Sequence, residues 1–215
     1  MNTGIQDAYN LAWKLAFVLQ GKADAKILET YNAERLENAD NLLKTTDRMF
    51  NLAAGTDWFL NLIRTTVFPP MAKYILALDV VKKRLFPTLS QIGINYRRHA
   101  LSRHDGANFE VKAGDRMPYF LDGGVSIYDR LREPKFHLLA FSDGERDYQT
   151  IKDEIETDYK NLIDFSVVPI YPHVAEIFGT NEPFSVLLRP DNYIGFVAQE
   201  TSVNDLKSYL NEVIN

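Results

Sequence analysis

The spacing of apolar residues changes near residue 112, and this change constrains the fold more than any other feature of the sequence. Up to about residue 90, apolar side chains recur every three or four residues, which predicts amphipathic helices. Beyond residue 112, short apolar runs alternate with polar helical segments and turns, which predicts helices packed on a small mixed sheet. The sequence therefore predicts a helical part followed by an α/β part.

Four helices are predicted in the first part. The opening helix runs from the chain start to Gly21, which supplies a stop signal. The second runs from about Asp24, a suitable N-cap, to Phe50. Two more apolar helices are predicted over 57–68 and 71–86, because prolines separate them and end the second. The polar, glycine-bearing stretch that follows is typical of a domain boundary.

The second part alternates between strands and helices. KFHLLAFS and IDFSVVPIY are predicted as strands, and the polar-faced segment between them as a helix. PFSVLLRPDNYIGFVAQ predicts a hairpin whose turn holds Pro190, Asp191 and Asn192, followed by a closing helix capped by Ser202. Upstream, LDGGVSIYDRL predicts a turn and a short helix.

Charge and composition exclude several functional classes. The net charge is -5 over 215 residues and no dense Lys/Arg cluster occurs, so nucleic acid is not expected as a partner. No apolar run reaches the roughly 18 residues of a membrane span, and no signal sequence is recognisable, so a cytoplasmic protein is expected. There is no cysteine and the four histidines are scattered, which excludes thiol chemistry and makes a metal site unexpected.

The opening string MNTGIQDAYNLAWKLAFVLQGKA, with LETYNAERLENADNLL and TDRMF after it, resembles the end of the flavin domain of FAD-dependent aromatic-ring monooxygenases, the phenol and p-hydroxybenzoate hydroxylase group. AGDRMPYFLDGGVSIYDRL, KFHLLAFS and FSVLLRPDNYIGFV resemble the thioredoxin-like C-terminal domain of the same family. SDGER occupies the place of the thioredoxin CxxC. The resemblance implies three segments: flavin-domain helices over 1–50, a helical and linker region over 51–112, and a thioredoxin-like domain over 113–215.

This resemblance implies a parent enzyme that hydroxylates a phenolic or similar aromatic compound with NAD(P)H and O2. The family's Gly-rich dinucleotide fingerprint and the Gly-Asp pair before the opening string are absent here, so we expect a C-terminal fragment that is inactive alone and does not retain FAD. An internal Met taken as the start is one explanation. The aromatic substrate, the choice of NADH or NADPH and the oligomeric state stay open, although a homo-oligomer through the helical half is expected.

Four residues are assigned to the flavin by this resemblance. A helix start presents unpaired N–H groups and partial positive charge, so the backbone around Asn2 and Thr3 suits the pyrimidine edge that becomes anionic on reduction. Gly4 allows close approach of the ring, and Asp7, expected in the first turn, could bond the N-terminal backbone or simply complement the helix dipole. No catalytic residue is assigned, because the flavin carries the family's chemistry.

Other polar residues are expected to be structural. Glu34 and Arg35 are expected to form a structural ion pair, Trp13 is expected to pack, and Asn10 has no role beyond its place in the motif. The rival interpretation of the whole chain is a stand-alone, non-redox thioredoxin-like module with a structural or oligomerisation role.

Overall fold

The computed structural model describes residues 2–54, 61–62, 65–66, 69–71, 74, 78, 93–104, 108–199 and 202–214. The predicted helices over 57–68 and 71–86 lie largely outside these residues. None of the described helices is both long enough and apolar enough to cross a membrane.

The chain begins with two long helices. Helix α1 spans Asn2–Leu19, and helix α2 spans Glu29–Ala54 after a single 3-10 turn at Ala25–Leu28. Asp24 caps that turn, because its carboxylate accepts a hydrogen bond from the backbone N–H of Lys26 at 2.8 Å. The predicted cap at Asp24 is confirmed, although a 3-10 turn precedes the α-helix itself.

Shorter elements follow. The strands described are β1 (Arg103–His104), β2 (Leu121–Asp122), β3 (Val125–Ser126), β4 (Phe136–Ser142), β5 (Ile163–Pro169), β6 (Phe184–Leu188) and β7 (Ile194–Ala198). The helices described after α2 are α3 (Ile127–Arg130), α4 (Gln149–Glu154), which continues as a π-helical turn at Ile155–Tyr159, α5 (Pro172–Phe178) and α6 (Val203–Ile214).

Five strands form one mixed sheet in the order β1-β7-β6-β4-β5. Strand β4 pairs in parallel with β5 and antiparallel with β6, β6 pairs antiparallel with β7, and β1 joins β7 in parallel at the far edge. Strands β2 and β3 form a separate two-stranded hairpin. The predicted fold class, helices followed by a mixed sheet with flanking helices, is confirmed.

The two faces of the sheet carry separate apolar cores, because successive side chains of each strand point to opposite faces. On one face Phe136 and Leu138 pack with Trp13 and Phe17 of α1 and with α6. The other face is covered by α5 and by the segment that leads into β2. Helix α1 therefore contributes directly to the core of the sheet, and the division into segments 1–50, 51–112 and 113–215 stays a prediction.

Four elements were not predicted: α5, β1, and the two strands β2 and β3 of the small hairpin, where only a turn was expected. Helix α5 is short, but Pro172 at its first position and Gly179 in the left-handed conformation after its end are the usual boundary signals. Strand β1 has two residues, too few for any alternation to be visible. The predicted hairpin and its turn are confirmed, with Asn192 at a φ of 63°, and Ser202 caps α6 by accepting from the N–H of Asp205 at 3.4 Å.

Candidate functional site

The first turn of α1 is one part of the candidate site. The helix begins at Asn2, its first turn holds no acidic side chain, and Gly4 is exposed. A Cβ placed on Gly4 would meet no atom within 4 Å. A helix start carries partial positive charge, which favours an anionic group. A role of Asn2, Thr3 and Gly4 toward a flavin stays a prediction.

The expected place of Asp7 is wrong. Because the helix begins at Asn2, Asp7 lies in the second turn rather than the first. Its carboxylate accepts a hydrogen bond from Nε of Arg35, and Nη1 of Arg35 donates to the hydroxyl of Tyr96 at 2.8 Å. Asp7 thus links α1 to α2, and a role toward the flavin stays a prediction.

Behind the helix start lies a group of four charged side chains that we call the buried cluster: Lys14, Glu34, Arg189 and Asp191. Nζ of Lys14 lies 2.8 Å from Oε2 of Glu34, and Nη2 of Arg189 lies 3.1 Å from the same oxygen. Arg189 also contacts Asp191 through Nη2 at 2.6 Å and Nε at 3.0 Å. All four side chains are at most 2% exposed, so two cations and two anions neutralise one another in the interior.

The cluster joins three elements that are distant in the sequence. Lys14 comes from α1, Glu34 from α2, and Arg189 and Asp191 from the turn between β6 and β7. The guanidinium of Arg189 is also enclosed by aromatic rings, with its Cζ 5.2–5.8 Å from the ring centroids of Trp13, Tyr96 and Tyr193. The turn from the second part of the chain is therefore held against both helices of the first part.

Further hydrogen bonds connect α1 to the same turn, residues 189–192, which we call the anchoring turn. The hydroxyl of Tyr9 donates to the backbone oxygen of Pro190 at 2.9 Å, and Nε1 of Trp13 donates to Oδ2 of Asp191 at 3.1 Å. Nδ2 of Asn10 donates to Glu34 at 2.7 Å and to Asp191 at 3.4 Å. One face of α1 is thus occupied by directional contacts to this turn.

Burial and neighbouring charges shift the pKa values of both Glu34 and Lys14, but the dominant cause differs between them. For Glu34, burial opposes ionisation, but the attraction and hydrogen bonds of Arg189 and Lys14 outweigh it and lower its pKa from 4.5 to about 2. For Lys14, burial and repulsion by Arg189 outweigh the attraction of Glu34 and lower its pKa from 10.5 to about 8. Glu34 therefore favours its charged form in the cluster, whereas Lys14 is less easily protonated there than in water.

We expect the stability of the chain to fall as the pH drops from about 4.5 toward 2, because Glu34 must then take up a proton in the folded state. A carboxylate whose folded pKa is depressed contributes stability that is complete above its unfolded pKa, here roughly 3 kcal/mol, and loses it below. Urea unfolding across this range should show a shallower pH dependence for Glu34→Gln than for the wild type. Asp40→Asn, at an exposed position on the same helix, should keep the wild-type pH dependence; equal slopes for both variants would contradict the assignment.

Only part of this site is predictable from the sequence. Glu34 and Arg35 do form ion pairs, but with different partners, because neighbouring helix residues point in different directions: Glu34 pairs with Lys14 and Arg189, whereas Arg35 pairs with Asp7. Asn10 was given no role, and the anchoring turn was seen only as a hairpin loop. One feature of the sequence does indicate a buried polar contact: Asn10 and Lys14 are polar residues one turn apart, and they lie beside Trp13 on the apolar face of α1.

The chain is similar to flavin-dependent monooxygenases. The sequence profile of the FAD binding domain family matches residues 1–46, which hold α1 and much of α2. Over its whole length the chain is 31% identical to a flavin-dependent monooxygenase of Mycobacteroides abscessus, and it covers 36% of that protein. It is 29% identical to pentachlorophenol 4-monooxygenase of Sphingobium chlorophenolicum, with 90% of this chain and 38% of that protein aligned.

The fold agrees with this class. The structure of the rebeccamycin biosynthetic enzyme RebC with reduced flavin superimposes with a TM-score of 0.70 at 21% identity, covering 99% of this chain and 41% of that one. The chain therefore spans about two fifths of the length of the relatives it matches. Its resemblance to the C-terminal portion of FAD-dependent aromatic monooxygenases is confirmed.

Proposed function

We propose that this chain is the C-terminal part of an FAD-dependent monooxygenase that hydroxylates a phenolic or similar aromatic compound with NAD(P)H and O2. The observation that carries the proposal is a second apolar face on α1. Its members are exposed and recur every three or four residues: Ile5, Ala8, Ala12, Leu15 and Leu19. Because the opposite face of α1 is already packed on the sheet, this exposed stripe, which we call the α1 stripe, is suited to cover the remainder of a flavin-binding domain.

Within that enzyme, the residues at the helix start would hold the flavin. Backbone N–H groups around Asn2 and Thr3 would face its pyrimidine edge, Gly4 would let the ring approach, and Asp7 would support the helix through Arg35. The helix dipole contributes about 0.3 to 1 kcal/mol, rising toward 2 where the site is partly buried. The redox chemistry, hydride acceptance from NAD(P)H and reaction with O2, is supplied by FAD when it is bound.

We expect the chain alone to bind FAD weakly, because its residues would contact one edge of the ring system, whereas cofactor affinity comes from a largely enclosing site. A fluorescence titration of FAD with the purified chain checks this expectation. Tight, stoichiometric binding would contradict it and would show that the chain holds a complete site.

The proposal itself is tested in a joined protein, in which this chain replaces the matching segment of the Mycobacteroides abscessus relative. We expect a yellow protein that oxidises NAD(P)H faster in the presence of an aromatic substrate. A joined protein that is folded by circular dichroism but colourless would contradict the proposal and favour the rival, a structural or oligomerisation module.

We also expect the chain to self-associate through the α1 stripe when nothing else covers it, because a continuous apolar patch usually finds another surface. Replacing Leu19, which is 80% exposed, with Lys should shift the chain toward monomer in sedimentation at tens of micromolar, roughly the range of weak associations. Tyr119→Lys, which changes an apolar residue that is 65% exposed and lies away from α1, is the control and should leave the association unchanged. A strictly monomeric wild type would contradict this prediction.

A further inference from the structure

The anchoring turn belongs to a thioredoxin-like domain that has no cysteine, so the contacts it makes are a guide to what the domain does. Its closest partners on α1 are Tyr9, Asn10 and Trp13, which all lie on one face of that helix. The exposed α1 stripe lies on a different face. The domain therefore holds α1 from one side and leaves the α1 stripe exposed.

We infer that the anchoring turn positions α1 along and around its own axis, and that positioning the helix start is a function of the thioredoxin-like domain. The claim that α1 is positioned stands on the contacts themselves. The claim that this serves a cofactor rests on the proposed function.

Directional contacts distinguish positioning from simple attachment. Aromatic packing of Trp13 and Phe17 on Phe136 would tolerate a small slide or rotation of the helix, since such contacts are non-directional. Hydrogen bonds and ion pairs do not, because they weaken steeply when distance and angle depart from the optimum. The indole N–H of Trp13 and the amide of Asn10 both point to Asp191, and a helix slide would break both.

The buried cluster makes the turn itself rigid. Arg189 is completely buried and contacts both Glu34 on α2 and Asp191 in its own turn. It therefore fixes the position of the Asp191 carboxylate, which accepts the hydrogen bonds from α1. Because α1 is one continuous helix, a displacement at Asn10 is transmitted to Gly4, about 9 Å further along the axis. The position of the helix start is thus set by a turn nearly two hundred residues away in the sequence.

Hydrogen exchange of the backbone amides tests this in the chain as it is, without flavin. Asp191→Asn keeps the shape of the side chain but removes its charge toward Arg189, and Arg189→Met removes the support of the turn. We expect the exchange rates of amides in residues 5–12, taken relative to those of β4 amides in the same variant, to rise at least about tenfold in both variants, because β4 reports the global loss of stability and residues 5–12 report the local release of α1. We also expect the indole N–H signal of Trp13 in nitrogen-15 NMR spectra to shift in Asp191→Asn, since that proton loses a charged acceptor.

Val168→Ala is the matched control. Val168 is fully buried on the opposite face of the sheet, so its truncation lowers stability without touching α1 or the anchoring turn. If the turn contributed only to overall stability, residues 5–12 and β4 would be accelerated in the same proportion in Asp191→Asn, Arg189→Met and Val168→Ala. The inference is overturned if the exchange of residues 5–12 relative to β4 stays at the wild-type value in Asp191→Asn, or if Val168→Ala raises that ratio as much. The result is independent of whether the chain contributes to an FAD site, which the joined protein tests separately.

Discussion

Replacing Arg189 with methionine is expected to destabilise the chain by about 3–5 kcal/mol, the usual cost of removing one partner from a buried ion pair. The loss of the guanidinium leaves Glu34 and Asp191, both buried, with Lys14 as the one remaining cation of the buried cluster. Stabilities of native domains lie near 5–15 kcal/mol, so this single change would remove a large share of the total. Urea unfolding followed by circular dichroism measures the difference.

Arg132→Met is the control for this prediction. Arg132 pairs with Asp129 on the surface, with side chains 75% and 45% exposed, and such pairs contribute no more than about 1 kcal/mol. We also expect the cost of Arg189→Met to shrink as the pH falls toward 4, because protonation of Glu34 then removes uncompensated buried charge. A loss equal to that of Arg132→Met would show that the buried cluster does not hold the two parts of the chain together.

Elements with strong local signals could be predicted from the sequence. Strands β4 and β6 are continuous apolar runs bounded by turn residues, and α6 begins with a serine cap, so pattern and local chemistry agreed. Helix α5 was overlooked because its seven residues are too few for a clear period, although its flanking Pro172 and Gly179 were visible. Local information therefore identified the longer elements and missed the shortest ones.

The buried cluster could not be predicted in this way. Glu34 and Arg189 are 155 positions apart, and no local pattern relates an exposed-looking glutamate in NAERLENADN to an arginine in a hairpin turn. Their pairing depends on how α1 and α2 pack on the sheet. The flavin assignment of Asn2, Thr3, Gly4 and Asp7 likewise came from resemblance, and of these residues Asp7 was placed one turn too early.

The largest effect on cofactor binding is expected from Gly4→Val in the joined protein. In this chain a Cβ at Gly4 meets no atom within 4 Å, and valine is a better helix former than glycine, so the substitution should not disturb α1 itself. Against an approaching ring, however, the two added methyl groups and the Cβ would clash. A steric cost of about 1–3 kcal/mol corresponds to roughly 5- to 150-fold weaker flavin binding.

Asn2→Ala is the comparison variant. We expect it to reduce flavin binding less than Gly4→Val does, because the main contribution of residue 2 is a backbone N–H that alanine retains. Gly4→Val tests whether the flavin ring approaches the helix start closely, and Asn2→Ala tests whether the side chain of residue 2 contacts it.

The flavin content of purified joined protein, measured as the ratio of flavin absorbance to protein absorbance for the wild type and for Gly4→Val, tests the central claim most directly. The account predicts near-stoichiometric flavin in the wild type and a marked loss in Gly4→Val, with the circular dichroism spectrum unchanged. Full flavin content and full turnover in Gly4→Val would contradict the assignment of this helix start to the flavin site.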